Sequence, residues 1–276
     1  MKTSPFLTII FLLTLISVRI SAQDAPWQQG LEPVSLTPEE LFVLSNIPEL
    51  KLPERYLGDD APLLPFSVDN SQHPYFRPIT QQSGYECGQS AGISFNFCYE
   101  IDRLRQLPAN VANNQYPSHF SWNFLNEANN YMGVSFFDSW EITRACGNMN
   151  VTDYGGGLNT GGYTRWISGY DAYYNGMKNR INSVKAIRVD TPEGLQTLKY
   201  WLFDHLEGSA VGGVANIYAQ YFSTPCPTLP TGTPESGKFV QNNWGGSPSH
   251  AWTICGYNDS IRYDFNGDGQ FTHNLA

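Results

Sequence analysis

An α+β fold is what this sequence predicts, and three observations carry it. Helical periodicity prevails from about residue 90 to 208, and apolar β-branched and aromatic runs prevail after it. The two textures do not alternate as they would in a doubly wound sheet. Low charge content, 14% aromatics and plentiful Gly and Pro add a compact, loop-rich chain of 276 residues, long enough to bury a substantial core.

Each element has its own signal. Lys2 precedes an apolar run from Phe6 to about Val18, and Ser21-Ala22 supplies small residues after it. That pattern predicts an export leader over 1–22, cut after Ala22, and hence a secreted, periplasmic or cell-surface protein. The run is too short to span a bilayer and no later stretch is long enough, so the mature chain is expected to have no membrane span. Residues 23–63 read as a linker or short propeptide-like segment. Within it SLTPEELFVL offers Thr37 as a cap, Pro38 at the first helical position and Glu40 behind it.

The folded domain is expected over 64–276. Ile93, Phe97, Ile101 and Leu104 share one face of a helix that begins near Ser90. PSHFSWNFLNEANN predicts a second helix capped by Ser118, and FFDSWEITRACG a third closed by Gly147. After the glycine-rich DYGGGLNTGGY, the stretch TPEGLQTLKYWLFDHLEG starts on Thr191-Pro192 and ends at Gly208. SAVGGVANIYAQYF and HAWTICGY have strand character.

Charge and cysteines exclude some partners. The net charge of −9 is spread along the chain and no Lys/Arg cluster occurs, which argues against nucleic acid. Five cysteines stand without CxxC or Cys/His metal spacing. An exported chain has the means to oxidise two pairs, and Cys98 and Cys255 lie in apolar patterns that read as core.

Three stretches together resemble the papain-like cysteine peptidases. PFSVDNSQHPYFRPITQQSGYECGQSAGISFNF is similar to the start of that family's mature domain, where a Gln precedes C-G-S-C-W-A-F. HLEGSAVGGVANIYAQYF is similar to its helix-to-strand step, and SPSHAWTICGYND to its H-A-V-x-x-V-G-Y strand. The likeness runs colinearly over about 64–260. It implies a helical half and a β-rich half with a peptide-binding cleft between them, and no required cofactor. Residue by residue, it puts Ser90 on the nucleophile, His250 on the general base, Gln82 (or Gln81) on the oxyanion-hole Gln, and Cys87 on a structural half-cystine or thiol. The family's Gln stands six residues before its nucleophile, whereas Gln82 stands eight before Ser90. The family's Asn, in N-S-W-G after the His, has no counterpart after His250. NNWGG precedes the His instead, so the last strands of the second half are expected to be missing.

A helix N-terminus and a neighbouring imidazolium depress a thiol to the point of ionisation, but a hydroxyl starts far too high for that. Ser90 would have to pass its proton to His250 during attack. The sequence therefore predicts an inactive or impaired peptidase homologue. The alternatives are a non-catalytic binder of peptides or surface polymers, a serine-type hydrolase using Ser90 and His250, and a relocated Cys87 nucleophile. Separately, DFNGDGQFT has a calcium-loop pattern: Asp264, Asn266 and Asp268, the Gln270 carbonyl and Thr272. A plain Asp/Asn/Gly turn fits it as well.

Overall fold

The computed structural model describes residues 7–13, 38–156, 161–219, 227–241, 249–264 and 267–274. Helices and sheet are both present, with the longer helices ahead of most strands. The central helix runs without a break through Cys87–Gln89, Ser90–Phe97 and Cys98–Arg105, its middle segment wound to the wider π pitch. Around it lie short helices Ser118–Trp122 and Val151–Tyr154, and the longer Phe136–Cys146. Tyr170–Gly176 and Pro192–Asp204 follow.

The strands are β1 (Leu7–Leu13), β2 (Ser67–Asp69), β3 (Ile181–Arg188), β4 (Ala215–Ala219), β5 (His250–Ile254), β6 (Gly256–Asn258), β7 (Arg262–Tyr263) and β8 (His273–Asn274). The four-stranded sheet has the order β3-β1-β4-β5, with β1 parallel to both neighbours and β4 antiparallel to β5. Two further antiparallel pairs, the long-range β2-β6 and the sequence-adjacent β7-β8, form separate two-stranded sheets.

The core forms where the central helix crosses this sheet. Ile93, Phe97 and Ile101 are buried against Phe136, Trp140, Tyr218 and Ala251. Their i, i+4, i+8 spacing is the periodicity that puts one helical face inward. Polar ties fix the crossing: Trp140 Nε1 donates to the Gly92 carbonyl at 2.9 Å and Thr253 Oγ1 to the Ala91 carbonyl at 3.2 Å. Both carbonyls belong to the π-wound stretch, and such stretches recur at functional positions. A second cluster joins helix Pro192–Asp204 to Leu52, Tyr56, Ile187 and Ile217.

Several elements differ from the sequence reading. The central helix starts at Cys87 rather than near Ser90. Ser118 is the first residue of its helix, not the cap, and that helix stops at Trp122. Gly147 does close Phe136–Cys146, at φ 81°, and Thr191 does cap Pro192–Asp204, accepting from Gly194 N at 3.1 Å. Thr37 lies outside the described residues. The domain boundary expected at 63/64 is not a boundary of the folded body. Leu50 N donates to the Ala186 carbonyl at 2.7 Å, and the buried Tyr56 hydroxyl donates to Asp204 Oδ2 at 2.7 Å. Leu7–Leu13, the centre of the expected leader, pairs as β1. A parallel strand flanked on both sides and a leader's apolar centre share one composition, so pattern alone does not separate them. Among the described residues, no helix is long and apolar enough to cross a membrane.

Candidate active site

Cys87 opens the central helix, so its own backbone N–H is among the first-turn donors that have no partner within the helix. Its thiol is free and buried. Burial pushes the thiol up from its ordinary value, while the backbone N–H groups of Ala251, Gly88 and Cys87 itself pull it down. Ala251 is the residue after His250 on β5, so the sulfur lies against the backbone that carries the expected base.

Contacts from distant parts of the chain bring them together. Gly88 passes so close to the next wall that a Cβ there would collide with the Val134 carbonyl oxygen. Gln89 Nε2 then bridges that wall, donating to the carbonyls of Val134 at 3.0 Å and Ser135 at 3.2 Å and to Ser139 Oγ at 2.9 Å. On the other side, Tyr218 on β4 accepts from Phe136 N at 2.8 Å and stacks on the Phe136 ring at 4.3 Å. β5 is paired to β4 with Ala251 opposite Tyr218. Helix start, wall and His strand are thereby one connected unit.

His250 is half-buried at the start of β5, its ring edge-to-face with Trp252 at 4.9 Å. Burial holds it below the ordinary imidazole value. A neutral imidazole is the form that accepts a proton.

Ser90 does not stand at the helix tip. It lies three residues beyond Cys87, one turn in, with its N–H donating to the Glu86 carbonyl at 2.8 Å. That offset is about 4.5 Å along the axis, and it takes Ser90 off the first-turn position. Gln82 is engaged elsewhere: its Nε2 donates to the Gly84 carbonyl at 3.2 Å. Gln81 is exposed and stands six residues before Cys87. The spacing that fails for Ser90 with Gln82 is met by Cys87 with Gln81. That spacing is the sequence signal for Cys87. Asn243 and Trp244 lie outside the described residues.

The calcium-type loop is wrapped by its own backbone. Asp264 accepts from the N–H groups of Gly267 at 2.8 Å, Asp268 at 3.1 Å and Gly269 at 2.8 Å. Asp268 Oδ1 accepts from Gln270 N at 2.7 Å, and the Gln270 carbonyl from Thr272 N at 3.1 Å. Asn266 is outside the described residues. Among the described residues, no group of three or more His, Cys, Asp or Glu side chains is close enough to hold a metal ion. The carboxylate oxygens of Asp264 and Asp268 are thus engaged by the loop's own N–H groups, as in a plain Asp/Asn/Gly turn.

Four of the five cysteines are described, namely Cys87, Cys98, Cys146 and Cys255, and all four are free thiols. Cys98 is buried in the core, as expected, with Asn114 O at 3.3 Å from its sulfur. His119 and His205 are buried and paired with carboxylates. His119 Nε2 is 3.2 Å from Glu86 and His205 Nε2 is 2.8 Å from Glu100.

No family model and no curated protein matches the chain. Among solved structures it is similar to Xylellain, a cysteine protease from Xylella fastidiosa, at 14% identity and a TM-score of 0.47. The match covers 79% of this chain and 78% of that one.

Proposed function

We propose that this chain is a cysteine-type peptide hydrolase of the papain-like kind, with Cys87 as nucleophile and His250 as general base. The observation that carries it is the thiol at the first turn of the central helix, held against the Ala251 N–H beside His250. The peptide substrate class rests on the three resembling motifs, as does the two-half arrangement with a cleft between.

Burial acts on both partners in one direction: it favours the neutral thiol and the neutral imidazole. The proton therefore moves from Cys87 to His250 as sulfur attacks the carbonyl carbon, rather than before. The oxygen of the tetrahedral adduct takes the negative charge and faces the Cys87 N–H, with the Gln81 amide as second donor. Collapse breaks the C–N bond, and the amine leaves with the proton from His250. Water then attacks the thioester, gives its proton to His250, and releases the acid and the Cys87 thiol.

The test is peptide turnover by the full-length protein and by two single variants. Cys87→Ala is expected to lose about 10³-fold or more, and Ser90→Ala to lose less than about fivefold. Loss on Ser90→Ala with retention in Cys87→Ala overturns the assignment in favour of a serine-type site. Absence of turnover from the unmodified protein leaves the peptide-binding role instead. Export is proposed on the leader pattern alone, and a secreted chain beginning at Gln23 on N-terminal sequencing, which would leave β1 out of the mature sheet, is its check.

A further inference from the structure

Immediately before Cys87, Glu86 is buried with only 1% of its surface exposed. Its Oε1 accepts from Ser83 N at 2.6 Å, and its Oε2 lies 3.2 Å from His119 Nε2. His119 is fully buried on helix Ser118–Trp122, its ring 4.9 Å from Trp122. The same nitrogen is 3.3 Å from the Ser83 carbonyl. The loop between is tacked down again by Tyr85 N, which donates to the Asn130 carbonyl at 3.1 Å.

An ion pair in such a place is costly to bury, and its partners are strongly bound to each other's charge. We propose that Glu86 and His119 are positioning residues that set the charge felt by the Cys87 thiol, Glu86 opposing the thiolate and His119 relieving that opposition. The catalytic consequence rests on Cys87 being the nucleophile; the charge coupling itself does not. Other groups facing this pair are Arg77, whose guanidinium feels the Glu86 charge, and Tyr154 on helix Val151–Tyr154. His250 on β5 immediately precedes Ala251, whose N–H meets the thiol. The directions agree with the geometry: Glu86 pushes the thiol up, and although burial pulls His119 down, its bond and charge interaction with Glu86 bring it above the ordinary value.

The experiment is the pH dependence of Cys87 alkylation by iodoacetamide on the full-length chain, read on the Cys87 peptide by mass spectrometry so that Cys146 does not contribute. Glu86→Gln keeps an acceptor for Ser83 N and removes the charge, and its midpoint should fall by about one pH unit. Glu86→Asp keeps the charge and shortens the reach, and its midpoint should stay near that of the unaltered protein. His119→Gln leaves the carboxylate unrelieved, and its midpoint should rise. A merely structural pair would loosen the site, and loosening lowers the midpoint in every variant because burial is what raises it. A downward shift in His119→Gln overturns the proposal. Where that variant does not fold, an Asp variant that shifts as far as the Gln variant overturns it equally. Turnover by Cys87→Ala decides the nucleophile separately, since the alkylation readings stand whichever way that experiment falls.

Discussion

Cys87 and Ser90 differ by one turn of helix, and that turn decides which of them meets the first-turn N–H groups. A thiol there gains what a hydroxyl cannot use, because only the thiol's ionisation is within reach of dipoles and a neighbouring imidazole. His250 supplies a pH signature for this site. Its folded value lies below the ordinary imidazole value of about 6.5, because burial disfavours the cation. The base is therefore neutral, and competent, down to lower pH than a solvent-exposed histidine. The acid limb of kcat/KM should have its midpoint below about 6.5, measured on a short peptide substrate. A limb at or above that value would mean that His250 is not the group being read.

At the scale of elements, the central helix and its wall depend on a missing side chain. Gly88→Ala would drive a Cβ into the Val134 carbonyl, which the Gln89 amide holds in place. Overpacking of this kind costs about 1–3 kcal/mol, and the shift moves Cys87 with it. Calorimetry should show a lower Tm and turnover should fall together. The cap of helix Pro192–Asp204 behaves differently. Thr191→Ala removes the acceptor for Gly194 N, at a cost of about 1 kcal/mol, and turnover measured beside Tm should stay unchanged. Both the Thr191 start and the Gly147 stop were legible in the sequence, since caps are local chemistry. The start of the central helix was not. Glu86 makes no side-chain cap there, and SGYECG holds neither Ser nor Asp where a cap would announce the first turn. β3 was also missed: INSVKAIR has no strict alternation because its exposure pattern is mixed, and only its sheet neighbours define it.

Across the whole molecule, a buried carboxylate ties the two core clusters. Glu100 on the central helix accepts from Val214 N at 3.1 Å and lies 2.8 Å from His205 Nε2, at the end of helix Pro192–Asp204. Burial pulls His205 down, but the Glu100 charge and hydrogen bond outweigh it and the net shift is upward; nearby Arg103 works against the proton. A raised folded value means that the contribution to stability is complete below about pH 6.5 and is lost as pH rises through the folded value. His119 follows the same sign. The Tm should therefore decline as pH rises above about 6.5, and His205→Asn, which suits the left-handed backbone at φ 61°, should flatten part of that slope. An unchanged slope would mean that this pair is not titrating in that range.

By itself the sequence determined the α+β texture, the helical core face through Ile93, Phe97 and Ile101, the Thr191 and Gly147 helix ends, and the His250 strand. Those are periodicities and caps, set by residues within a few positions of one another. Only the tertiary structure decided which side chain heads the central helix, that 48–56 joins the folded body, and that Glu86 meets His119. These depend on contacts between residues far apart in the chain, where Val134, Asn130, Ala186 and Ala251 supply the partners. Apart from the Gln81–Cys87 spacing, no local pattern around ECGQS records them, because the energy that fixes a helix start there comes from walls built elsewhere.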